Sequence, residues 1–100
     1  MTLLIMGTVR IPNGALDAAR PAMVAMLAAS RAEDGCLAYS YAQDVLDPRV
    51  IHVSERWRDR AALDAHFTTP HMAAWRAQFA TLGITDRDLT LYESDDGAPI

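Results

Sequence analysis

The sequence predicts an α+β domain with the element order β-α-β-β-α-β. Three observations carry that prediction. Apolar, β-branched runs alternate with segments of helical periodicity. Turn residues mark the boundaries between them, at Pro12-Asn13-Gly14, Glu33-Asp34-Gly35 and Asp47-Pro48-Arg49. Two strand-like runs, 36–44 and 50–58, follow each other with only a turn between, as in an antiparallel hairpin.

The first strand is read over Leu3 to Ile11 (LLIMGTVRI). Leu16, Ala19, Met23, Met26, Leu27 and Ser30 then recur at helical spacing, which predicts a helix over roughly 15–31, with a late start or a kink at Pro21. In the second strand the period of two places Leu37, Tyr39 and Tyr41 on one face and Ala38, Ser40 and Ala42 on the other. In the third, Ile51, Val53, Glu55 and Trp57 share a face, opposite His52, Ser54 and Arg56. Asp59 is a candidate N-cap for a helix whose stripe is Leu63, His66 and Phe67. Thr69 and Pro70 restart that helix, and Met72, Trp75, Phe79 and Leu82 continue it to Gly83. The last strand is read over Leu89 to Glu93, and residues 95–100 as a tail outside a single domain spanning 1–94. This is the ferredoxin-like split pattern: an antiparallel four-stranded sheet with helices on one face. The other face, with Leu4, Met6 and the small residues of the second strand, then needs a cover, and a two-fold homodimer through it is expected.

Composition narrows the chemistry. The chain is 51% hydrophobic and 22% charged, with a net charge of −4, which argues against a nucleic-acid partner. No stretch approaches the ~20 apolar residues of a membrane span, and no leader pattern is seen, so a cytoplasmic protein is expected. Cys36 is the one cysteine, which excludes an internal disulfide. All nine basic residues are arginine, so lysine Schiff-base chemistry is impossible. There is no Gly-rich dinucleotide fingerprint and no nucleophile elbow. His66 and His71 are five apart across Pro70 and would need Glu55 as a third ligand to hold a metal; none is expected.

The cluster that could carry chemistry is Glu55, Trp57, His66, His71 and Trp75. A carboxylate on the face under the helices is costly unless paired or protonated. His66, on the apolar stripe of the next helix, is expected to meet Glu55. Such a pair would hold the imidazole tautomer and make His66 a general base, or would only fasten helix to sheet. Tyr39 and Tyr41 extend the same lining, and Trp57 and Trp75 would wall a pocket suited to a planar aromatic guest.

The stretch from Glu33 to Trp75 closely resembles the antibiotic biosynthesis monooxygenase family, including its quinol monooxygenase branch. The resemblance rests on an ordered set: Gly35-Cys36 with Tyr39, Glu55 and Trp57, Ala62-Leu63 with Ala65-His66, and Thr69-Pro70-His71-Met72. It implies a dimeric α/β barrel with one pocket per subunit. It also implies oxidation of a small quinol or hydroxylated aromatic by O₂ with no cofactor. On that pattern Trp57 matches the pocket tryptophan, and Glu55, His66 and His71 match motif positions. An asparagine of polyketide-oxidising members falls at Val53, and the iron-ligating histidine of haem-degrading members falls near Arg76, which points away from both chemistries. The resulting expectation is a cofactor-independent monooxygenase. In it His66 is the base, Glu55 its orienter, His71 a secondary hydrogen-bonding group, and Trp57, Trp75, Tyr39 and Tyr41 the substrate contacts. A non-catalytic ligand-binding dimer, an isomerase-like proton transfer and a filled dimerisation domain are the other readings.

Overall fold

A computed structural model describes residues 1–100. Its elements are β1 (Thr2–Arg10), α1 (Leu16–Arg31), β2 (Cys36–Gln43), β3 (Val50–Trp57), α2 (Arg60–Phe67), α3 (Pro70–Ala77), α4 (Phe79–Leu82) and β4 (Thr85–Ser94). The strands form one antiparallel sheet in the order β2-β3-β1-β4, with the helices packed on one face. The ferredoxin-like α+β expectation therefore holds.

Local chemistry explains the boundaries. The Asp59 side chain accepts the Ala62 N–H at 2.8 Å and so starts α2. Thr69 does the same for α3 through the Met72 N–H, with Pro70 in the first turn, where its missing N–H costs nothing. Pro21 lies well inside α1, and the helix neither starts late nor breaks there. Its ring faces solvent, so the one backbone bond it removes is lost on the wet side. The buried stripe Ala19, Met23, Met26 and Ser30 still holds the helix to the sheet.

Two further expectations needed correction. Leu37 is not on the face of Tyr39: the register slips between Cys36 and Ala38, and Leu37 is half exposed (50%). A single extra residue inverts the parity of everything before it, and period-two counting cannot see it. The last strand is twice the expected length, because Thr85 and Asp88 also pair with β1 on either side of a bulge, although the composition of 85–88 reads as a turn.

Inward-facing Leu3, Ile5, Val9, Ile51, Val53 and Trp57 form the core with Met23, Met26, Leu63, Met72 and Trp75 from the helices. The opposite face carries Leu4, aligned across the sheet with Arg56, Ala38 and Tyr92. Beside that row lies Met6, aligned with Ser54, Ser40 and Thr90. Met6 is 53% exposed and Tyr92 is exposed to a similar extent. No helix is long and apolar enough to cross a membrane.

Candidate functional site

Between the sheet and α2–α4 lies a cavity of about 240 Å³. Its apolar wall includes Ile5, Val9, Met72, Trp75, Phe79 and Leu89; its polar groups come from Tyr39, Tyr41, Glu55, His66, Arg76 and Arg87. A hollow of ~150 Å³ can hold benzene, so this one suits a substituted single ring or a small fused pair.

His66 is 1% exposed and lines the cavity. Its Nδ1 lies 2.6 Å from Glu33 Oε2. The same carboxylate oxygen lies 2.8 Å from His71 Nε2. A carboxylate accepts, so Nδ1 carries the proton and Nε2 is left with its lone pair. Nε2 has no protein partner, yet no buried side-chain nitrogen lacks one, so this atom is open to the cavity. Burial holds His66 below the ordinary histidine pKa, against the Glu33 hydrogen bond and charge, which pull it upward. The imidazole is therefore neutral at pH 7, the state a base requires.

The carboxylate that meets His66 is thus Glu33, not Glu55. Glu55 instead accepts the Trp57 Nε1–H at 2.9 Å. Burial raises the Glu55 pKa, with the Trp57 hydrogen bond, the Arg87 charge and the Tyr39 hydroxyl opposing. The reason for the exchange is local. Gly35 sits at φ 85° in the turn after α1, and its carbonyl accepts the Arg58 N–H at 2.8 Å. A Cβ at position 35 would come within 2.5 Å of the Ala62 Cβ, so only glycine lets this turn lie against α2. That close approach brings Glu33 to His66.

The other predicted residues divide. Tyr39, Tyr41 and Trp75 line the cavity, with the Trp75 Nε1–H donated to the Tyr41 hydroxyl at 3.2 Å. Burial raises the pKa of both tyrosines, so they stay neutral donors. Trp57 is fully buried behind the lining, its ring 4.6 Å from that of His66, and supports rather than walls the hollow. His71 lies on the far side of Glu33, 23% exposed, in a second hollow between α1 and α3. Sequence reading missed Glu33, which looks like a turn residue, and Arg76 and Arg87, which look like scattered surface charge.

Glu33, His66 and His71 bring three ligating atoms within 4.8 Å of one another. Separations of 2.6 and 2.8 Å are those of hydrogen bonds. Ligands sharing a tetrahedral ion at ~2.1 Å sit about 3.4 Å apart.

Residues 2–78 match the family model described as "Antibiotic biosynthesis monooxygenase". The Mycobacterium tuberculosis protein named "Putative monooxygenase Rv0793" is 40% identical over 68 residues, covering 68% of this chain and 66% of that protein. An uncharacterised Synechocystis protein is 48% identical over 42 residues, covering 42% of this chain and 29% of that one. The chain thus spans about a third to two thirds of the length of these curated relatives. The solved structure of the M. tuberculosis protein superposes with a TM-score of 0.82 at 31% identity, covering 99% of this chain and 100% of that one. The structure of a Deinococcus radiodurans protein described as a "putative antibiotic biosynthesis monooxygenase" gives a TM-score of 0.87 at 26% identity, over 100% of this chain and 98% of that chain.

Proposed function

The chain belongs to the antibiotic biosynthesis monooxygenase family, and on that premise we propose that it oxidises a small quinol or hydroxylated aromatic with O₂. The observation that supports this most is the unpartnered His66 Nε2 at the floor of an aromatic cavity, with Nδ1 tied to Glu33. In this reading Nε2 removes a phenolic proton, and Glu33 stabilises the imidazolium that forms. The electron-rich anion reduces O₂, and recombination forms a ring peroxide. Loss of water leaves one oxygen atom on the ring as a carbonyl, while the other departs in the water. The substrate supplies all the electrons, so the step calls on no flavin, haem or metal. The apolar wall raises the strength of each charge interaction by keeping water out.

The test is O₂ uptake in chelator-treated solution with a panel of hydroquinones and naphthohydroquinones. Uptake above autoxidation, lost in a His66 variant, is the expected result. Wild-type rates equal to autoxidation across the panel would remove the oxygenase reading. Saturable ligand binding in that case would leave a non-catalytic pocket or a proton-transfer activity.

A second copy is the proposed cover for the open sheet face. Leu4, Met6 and Tyr92 are apolar groups presented beside Ala38, Ser40 and Ala42, whose small side chains permit close sheet-to-sheet approach. Burying ~600 Å² of apolar surface returns on the order of 15 kcal/mol before association costs. Sedimentation equilibrium should give a dimer mass for the wild type and a monomer mass for Met6→Asp. A monomeric wild type at high micromolar concentration would refute this.

A further inference from the structure

Two guanidinium groups at the cavity have no part in the oxidation described above. Arg10, Arg20, Arg49, Arg58 and Arg60 each pair with an aspartate. Arg76 and Arg87 line the cavity, and neither forms an ion pair.

Both are placed there by the backbone. Arg87 shares the inward face of β4 with Leu89, which lies opposite Gly7. The register slips next to it, where Asp86 adopts φ 52° and takes up the extra residue. Arg76 follows Trp75 on α3, and its Nη2 donates to the Phe67 carbonyl at 3.3 Å, at the end of α2. Their charges reach inward: Arg87 pulls on Glu55, Tyr39 and Tyr41, and Arg76 on His66. The cavity therefore has two kinds of lining. His66, Glu55, Tyr39, Trp75 and Met72 are buried, whereas Arg76 and Arg87 are exposed cations without an ion pair. Glu55 is the one carboxylate in the lining, and it lies deep, where burial favours its neutral form.

We propose that the ligand is a hydroxylated aromatic acid, with its hydroxyl at His66, its ring between the aromatic walls and its carboxylate between Arg76 and Arg87. Guanidinium matches the planar geometry of a carboxylate and binds it with charge-assisted hydrogen bonds. A neutral quinol would leave both cations without a counter-charge. This inference rests on the proposed function only in taking His66 as the end that receives the hydroxyl.

The test is calorimetric binding under nitrogen of 6-hydroxy-2-naphthoate and of 2-naphthol, which share a ring system and a hydroxyl. The acid is expected to bind about tenfold or more tightly than the naphthol, and to weaken as salt is raised. Arg87→Gln and Arg76→Gln should each weaken the acid severalfold and leave the naphthol unchanged. Both positions are exposed, and unaltered melting curves would confirm the fold. Equal affinities for the two compounds in the wild type would overturn the inference. So would variants that weaken both equally, or no binding of either at millimolar concentration. Tight acid binding without O₂ uptake would keep this inference and remove the oxygenase reading. O₂ uptake on neutral quinols with no preference for acids would do the reverse.

Discussion

Changing His66 to asparagine is expected to lower turnover of a hydroxylated aromatic by about 10²–10⁴-fold, the range for loss of a positioned base. Ligand affinity should move far less, because the other lining groups remain. The pH profile separates a base from a mere fastener. Burial depresses the His66 pKa, so the acid limb of the profile should have its midpoint below 6.5. Glu33→Gln removes a charge that favours the imidazolium, so it should push that midpoint lower still and weaken the base. NMR titration of the His66 ring protons reads the same shift with no substrate present. The sign for stability follows. A histidine held neutral in the fold contributes stability that is complete above its unfolded pKa near 6.5. That contribution is lost as the pH falls from there toward the folded value. Full turnover in His66→Asn, or an upward midpoint shift in Glu33→Gln, would refute the assignment.

Gly7→Ala should be the most damaging small substitution in the sheet. Gly7 lies between Val53 on β3 and Leu89 on β4, under the cavity. A Cβ there would overlap the Asp88 carbonyl and crowd the Leu89 Cα. These are backbone atoms in a paired strand, so no rotamer change relieves the clash, and β1 and β4 must separate. A loss of about 3 kcal/mol is expected, at the upper end of overpacking costs. For a domain of this size that corresponds to roughly 12–24 °C in Tm. Gly14→Ala is the reference for backbone strain without a clash, since Gly14 stands at φ 78° and a Cβ there meets no atom within 4 Å. Thermal melts followed by circular dichroism measure both. A Gly7→Ala protein as stable as Gly14→Ala would show that the strands adapt at little cost.

The sequence made some features legible because their causes are local. Asp59, Thr69, Pro70 and Gly83 announce helix ends through their own hydrogen-bonding and backbone chemistry, and all four stand where that chemistry put them. The inward face of β3 was readable because no bulge interrupts it. Leu37 was misplaced because one added residue resets a period of two. Glu33 was invisible for a different reason. It meets His66 across 33 residues, and it does so because the Gly35 turn lies against α2, which spacing along the chain does not encode. Arg87 looked like surface charge because the inward facing of β4 depends on pairing with β1. The approximate location of the site was therefore predictable, while its hydrogen-bonding partners depended on tertiary contacts.

The sheet order places the chain's first strand beside its last, with Thr2 opposite Ser94. That pairing closes a loop that runs from residue 2 to residue 94, among the slowest kinds of contact to form. On the ribosome β1 must wait, one edge bare, until residues 85–94 emerge. Arg87 and Leu89 arrive only then, so the hollow gains its last wall after all the other elements of the fold have been made. A nascent chain stalled before residue 85 would carry the intact His66–Glu33 sequence but have no closed chamber around it.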